Sequence, residues 1–155
     1  MASAVGADQV AFQRRWHETG RDRVIGKCAS NEEYIAWVCE YIGVHPDPDS
    51  PRRAALHFEQ LVAPLMQQPR VDALPTIADL EARGVGLGLI SDCSWDVPAL
   101  WRSSPLSRYI VNPVFSCEIG TKKPEAAIYE EALRRLGVSA AEAVSALYCG
   151  VRPFE

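Results

Sequence analysis

The chain has 155 residues, of which 48% are hydrophobic and 23% charged, with a formal net charge of −4. This length can bury a real core. The mild acidity gives no electrostatic ground for a nucleic-acid partner, and no apolar run of roughly eighteen residues is present to span a membrane. The first residues, Met1 to Gly6, lack the basic and apolar segments of a signal peptide. Five widely spaced cysteines, with no C-x-x-C pair, read as reduced thiols in a cytoplasmic protein.

The first half reads as helices. Ala7 to Trp16 is a helix candidate with Phe12 and Trp16 four apart, followed by a locally basic stretch that reads as a solvated face. Ser30 and Glu33 have capping-box spacing. Ile35, Val38, Cys39 and Ile42 then recur at i, i+3, i+4 and i+7, and Gly43 is the stop. In the loop from His45 to Ser50, a histidine and two aspartates alternate with prolines. A stiff turn explains that pattern more simply than a metal site does. Ser50 and Pro51 open a third helix whose apolar face is Ala54, Phe58, Leu61, Val62 and Leu65, with Pro64 bending or ending it near Met66. The polar connection after Gln67 marks the expected boundary between a helical cap subdomain, residues 1–72, and a partial α/β core, residues 73–155.

The second half alternates helix and strand. Pro75 to Arg83 reads as a short helix stopped by Gly84, and Val85 to Ile90 as a parallel strand buried on both faces. The glycines at 84, 86 and 88 do not form a dinucleotide loop; they suit close approach of a helix to the strand. Further elements are expected at Asp96–Arg102 (helix), Val114–Ser116 (strand), Ser139–Val144 (helix) and Ala146–Cys149 (strand). Between the last strands lies the stretch from Gly120 to Tyr129, with Lys122 and Lys123 on a loop and Pro124 placed to start a helix. That helix runs to Leu136, with Tyr129, Ala132, Leu133 and Leu136 on its apolar stripe and Gly137 as its stop. Glu130–Arg134 and Glu131–Arg135 are i,i+4 pairs on its wet side. The expected fold class is therefore α/β, a parallel sheet with helices, in which ligands bind beyond the carboxyl ends of the strands. A lone lysine loop is usually just solvated. Here it can reach the strand end at Ser91 and Asp92.

Two segments together resemble the haloacid dehalogenase-like (HAD-like) hydrolases. Leu89-Ile90-Ser91-Asp92 is similar to that family's second motif, a strand ending in Ser or Thr, and Gly120-x-x-Lys123-Pro124-Glu125-x-x-Ile128-Tyr129 to its third. The resemblance implies a Rossmann-like core under a four-helix cap, and transfer of a group from the substrate to an aspartate. Most members hydrolyse phosphate esters with magnesium, and some dehalogenate. It implies Ser91 and Lys123 as catalytic residues, Ser91, Asp92 and Lys122 as substrate contacts (Lys122 as the fallback by one register), and a small phosphorylated or halogenated molecule as partner. Charge on the phosphoryl oxygens in the transition state explains the choice of a hydroxyl and a cation.

The sequence departs from the family at both ends. No Asp-x-Asp follows an apolar strand; Asp47-Pro48-Asp49 has that spacing inside a proline-rich loop. After Leu147 to Gly150, Val151 stands where the family has an acidic magnesium ligand, and Glu155 ends the chain. The chain reads as a family member trimmed at both ends, lacking a central strand, an attacking carboxylate and magnesium ligands. Loss of hydrolysis and self-association through exposed strand edges are the expectations that follow. The competing function is a non-catalytic binding remnant of such a protein.

Overall fold

The computed structural model describes residues 1–146. A 3-10 turn at Ala2–Val5 leads into α1 (Gln9–Glu18), α2 (Gly20–Val24), α3 (Asn31–Tyr41), α4 (Ser50–Gln67) and α5 (Ala73–Ala82). Then follow β1 (Ile90–Ser91), α6 (Asp96–Trp101), β2 (Val114–Phe115), α7 (Ser116–Ile119), α8 (Ala126–Leu136) and a 3-10 turn at Ala140–Glu142.

Local chemistry accounts for several of the helix ends. The Asp8 carboxylate accepts the Ala11 N–H at 2.9 Å and starts α1. Ser30 Oγ accepts the Glu33 N–H at 3.1 Å, and the Glu33 carboxylate reaches back to the Ala29 N–H at 2.7 Å. Pro64 lies inside α4, which continues to Gln67. Gly137 closes α8 in the left-handed conformation.

The expected Rossmann-like parallel α/β sheet is corrected by the structure. The described residues are mostly helical, and their one sheet is the parallel pair β1–β2, with Ile90 opposite Val114 and Ser91 opposite Phe115. Val85 to Leu89 does not become a strand, and Val85 is 46% exposed. An apolar run becomes a buried parallel strand only when partner strands and covering helices are available on both sides. Here β2 is two residues long, and the glycines at 86 and 88 weaken any strand through that segment. Gly88 does serve close packing: a Cβ there would lie 2.9 Å from the Leu136 side chain of α8.

Three further expectations change. Ser116 opens α7 instead of extending β2. Pro124 lies outside α8, which has Glu125 as N-cap, and the Lys123–Pro124 peptide is cis. The segment after Ser139 makes a single 3-10 turn at Ala140–Glu142, with the Ser139 N–H donating to the Glu142 carboxylate at 2.9 Å. The strand expected at Ala146–Cys149 falls, from Leu147 onward, outside the described residues.

Among the described residues the core forms three apolar clusters. The first joins Val5, Phe12, Trp16, Tyr34, Ile35, Val38, Cys39 and Ala54. Phe58 packs its ring edge-on against Trp16, centroids 6.0 Å apart. Leu61 and Leu65, expected on the same buried face, are 60% and 69% exposed, so the buried stripe of α4 stops short of its second half. The second cluster gathers Cys93, Trp101, Ile110, Phe115 and Cys117, and the third Val114, Ile128 and Ala132.

Specific polar contacts fasten the first half of the chain to the second. Asn31 Nδ2 donates to the buried Asp96 carboxylate at 3.0 Å, Trp95 Nε1 donates to the Cys28 carbonyl at 2.7 Å, and Arg21 pairs with Glu125 at 2.8 Å. Gly26 sits flush on α7. It adopts φ +68°, and a Cβ on it would fall 2.0 Å from the Cys117 carbonyl oxygen, so only glycine fits.

Candidate functional site

The loop between α7 and α8 is shaped by its own residues. Gly120 ends α7 in the left-handed region, the Glu125 N–H donates to the Lys122 carbonyl at 2.9 Å, and Thr121 Oγ1 donates to the Glu125 carboxylate at 2.7 Å. That hydroxyl, and then Arg21, hold the Glu125 carboxyl below the usual carboxylate range.

This turn presents Lys123 to the end of β1. The Lys123 N–H donates to Asp92 Oδ1 at 3.0 Å, and its ammonium donates to the Ile90 carbonyl at 3.2 Å, next to Ser91. Lys122 turns the other way: its ammonium donates to the Lys123 carbonyl at 3.0 Å, back onto its own loop. Of the residues singled out in the sequence, Ser91, Asp92 and Lys123 therefore meet at one corner, and Lys122 lines its rim. All four are half-buried.

One member of this corner was not evident in the sequence. Ser116 is fully buried, and its Oγ accepts the Cys93 N–H at 2.9 Å. It ties the loop after β1 to the start of α7. Its signal was weak, because a serine at the end of an apolar run reads equally well as a strand residue.

The corner supplies a cation and a hydroxyl, the donors an anion needs. Among the described residues, Asp92 is the carboxylate bonded into it, with Oδ1 accepting the Lys123 N–H. Among the described residues no group of three His, Cys, Asp or Glu side chains is arranged to hold a metal ion. The magnesium that the resemblance implies thus has no fitting ligand set among them, and Glu155 lies outside the described residues. Asp47, in the proline-rich loop, is engaged with Arg53 at 3.0 Å and with Ser50.

Two surface concavities lie elsewhere. One of about 430 Å³ is lined by Trp101, Arg102, Asn112, Phe115, Glu118 and Arg135, among others, and one of about 240 Å³ by Asn31, Arg52, Glu59, Trp95 and Asp96. Neither includes Ser91 or Lys123. No described helix is long and apolar enough to cross a membrane. No protein-family model, curated protein or solved structure matches the chain.

Proposed function

We propose that this chain is a relative of the HAD-like hydrolases that binds a small phosphate-bearing molecule at the Ser91–Lys123 corner and, as a chain of 155 residues, does not hydrolyse it. The observation that carries the reading is the Lys123 ammonium, held 3.2 Å from the Ile90 carbonyl beside Ser91 by a loop that also bonds Asp92. A lysine so placed offers a compact charge to a phosphate, and the serine offers a hydroxyl. Hydrolysis needs more than charge. Phosphoryl transfer to an aspartate requires a carboxylate in line with phosphorus, and no Asp-x-Asp follows an apolar strand in the sequence to supply one. Dehalogenation through an aspartate would fail for the same reason.

The test is turnover of a generic aryl phosphate by the purified chain with magnesium, alongside Lys123→Ala. The expected result is no release above buffer for either protein. Magnesium-dependent turnover abolished by Lys123→Ala would overturn the non-catalytic part of this reading and make Asp92 the first nucleophile to examine.

A second reading, self-association, is supported by β1, which pairs only with β2 among the described residues, and by Val85, 46% exposed upstream of it. Sedimentation at rising concentration should give a growing dimer fraction. A monomer throughout would contradict this second reading.

A further inference from the structure

We propose that the concavity between the start of α3, the start of α6 and one face of α4 binds a small zwitterion of the amino-acid type, its ammonium on Asn31 and Asp96 and its carboxylate on Arg52. One buried acceptor carries the inference. Asn31 opens α3 and is 8% exposed. Its Nδ2 donates to Asp96 Oδ1 at 3.0 Å, and the Ser94 hydroxyl donates to the same oxygen at 2.5 Å. The Asn31 nitrogen is thus spent on Asp96, and its Oδ1 has no donor among the described residues. A buried acceptor in that position has given up water without a replacement, which folded proteins rarely leave uncorrected. Asn31 and Asp96 both line the concavity of about 240 Å³, so a donor entering it arrives at the residue whose acceptor is unmet.

The rest of the wall says what kind of donor fits. Arg52, Leu56 and Glu59 stand at i, i+4 and i+7 on one face of α4. Arg52 is exposed and enters no ion pair among the described residues, whereas its neighbour Arg53 is held by Asp47 at 3.0 Å. Glu32, Glu59 and Asp96 bring three carboxylates to the same space as the one guanidinium. An anion alone would face all three. An ammonium alone would leave Arg52 without a partner. A molecule with both charges answers both, and a guanidinium suits a carboxylate because its N–H groups can pair with both oxygens. Leu56, 49% exposed, and the half-buried Trp95 offer apolar surface to a short side chain, and the Trp95 ring is fixed by its N–H on the Cys28 carbonyl at 2.7 Å. The volume lies below the roughly 300–1,000 Å³ of drug-sized sites, which restricts the ligand to a small molecule. This inference stands independently of the phosphate-binding reading, because neither Ser91 nor Lys123 lines this concavity.

The experiment titrates the full chain with L-leucine and follows amide NMR shifts. N-acetylleucine, which lacks the ammonium, and leucine methyl ester, which lacks the carboxylate, are run beside it. Leucine should give saturable shifts centred on residues 30–32, 52–59 and 94–96. Each derivative should bind roughly tenfold or more weakly, as follows from losing one charge-assisted contact. Arg52 is exposed, so Arg52→Gln keeps the fold; it should lower leucine affinity to that of the ester and leave the ester unchanged. Asn31→Ala should weaken leucine and the ester alike, and if it fails to fold, the three ligands and Arg52→Gln still decide. Absence of saturable shifts with both leucine and phenylalanine, or shifts centred elsewhere, would overturn the site and leave water as the partner of Asn31. Equal binding of leucine and N-acetylleucine would overturn the ammonium's place, and undiminished leucine affinity in Arg52→Gln that of the carboxylate.

Discussion

Tyr34 is 1% exposed, and its hydroxyl donates to the Thr19 carbonyl at 2.9 Å while also bonding the Thr19 hydroxyl. Removing the oxygen leaves the Thr19 carbonyl without that donor in a buried setting. Tyr34→Phe should therefore cost about 1–3 kcal/mol in chemical denaturation, with an unchanged denaturant slope. A loss within experimental error would mean that water replaces the hydroxyl and that the site is wetter than its burial implies. The same scale shows which residues the sequence made legible. Lys123 was legible because a lysine just before a proline, on a loop downstream of a strand ending in serine, has few places to reach. Which of the two lysines faces inward was not legible. It depends on a turn closed by the Glu125 N–H on the Lys122 carbonyl, which composition does not encode.

At the scale of single elements, α8 ends where its sequence placed the stop but starts two residues past Pro124, and β1 is much shorter than expected. The α8 stripe and its terminal glycine are local signals, and the helix spans Ala126–Leu136 as a result. A strand needs partners from elsewhere in the chain, so the apolar run at Val85–Leu89 was read as a longer strand than the packing supports. Side-chain pairing on α8 also shifted: Glu131 takes both Arg134, at 2.7 Å, and Arg135, at 2.6 Å. Arg135 in turn donates to the Pro113 carbonyl just before β2, so this triplet fastens the helix to the sheet. The bonds from Arg134 and then Arg135 lower the Glu131 carboxyl from 4.5 to about 2. A carboxyl depressed in the folded state stabilises the fold above its unfolded value. That contribution fades as pH falls from 4.5 towards about 2. Carboxyl-detected NMR should place the Glu131 midpoint near 2, and Arg135→Ala should move it up towards 4.5. A wild-type midpoint near 4.5 would show that the pairs do not persist in solution.

Across the whole molecule, the helical first half is seated on α7 at one close approach, Gly26 against the Cys117 carbonyl, beside the polar contacts of Asn31, Trp95 and Arg21. Gly26→Ala should cost about 3 kcal/mol or more, adding the left-handed penalty to an overlap with backbone that cannot swing aside. Thermal unfolding checks this, and a neutral substitution would mean that the two halves are not seated as described. Sequence reading anticipated a helical region and a lysine-bearing corner. It overestimated the sheet, because the extent of a sheet is decided by long-range pairing that one sequence does not display. An anion site made by Ser91 and Lys123 is tested most directly by a titration of inorganic phosphate followed by amide NMR shifts in the wild-type chain and in Lys123→Ala. Saturable shifts are expected, centred on residues 91–93 and 121–125 and weakened roughly tenfold or more by the substitution, as follows from losing one charge-assisted contact of about 1.5–3 kcal/mol. Shifts centred on another part of the chain, or identical titrations of the two proteins, would contradict it.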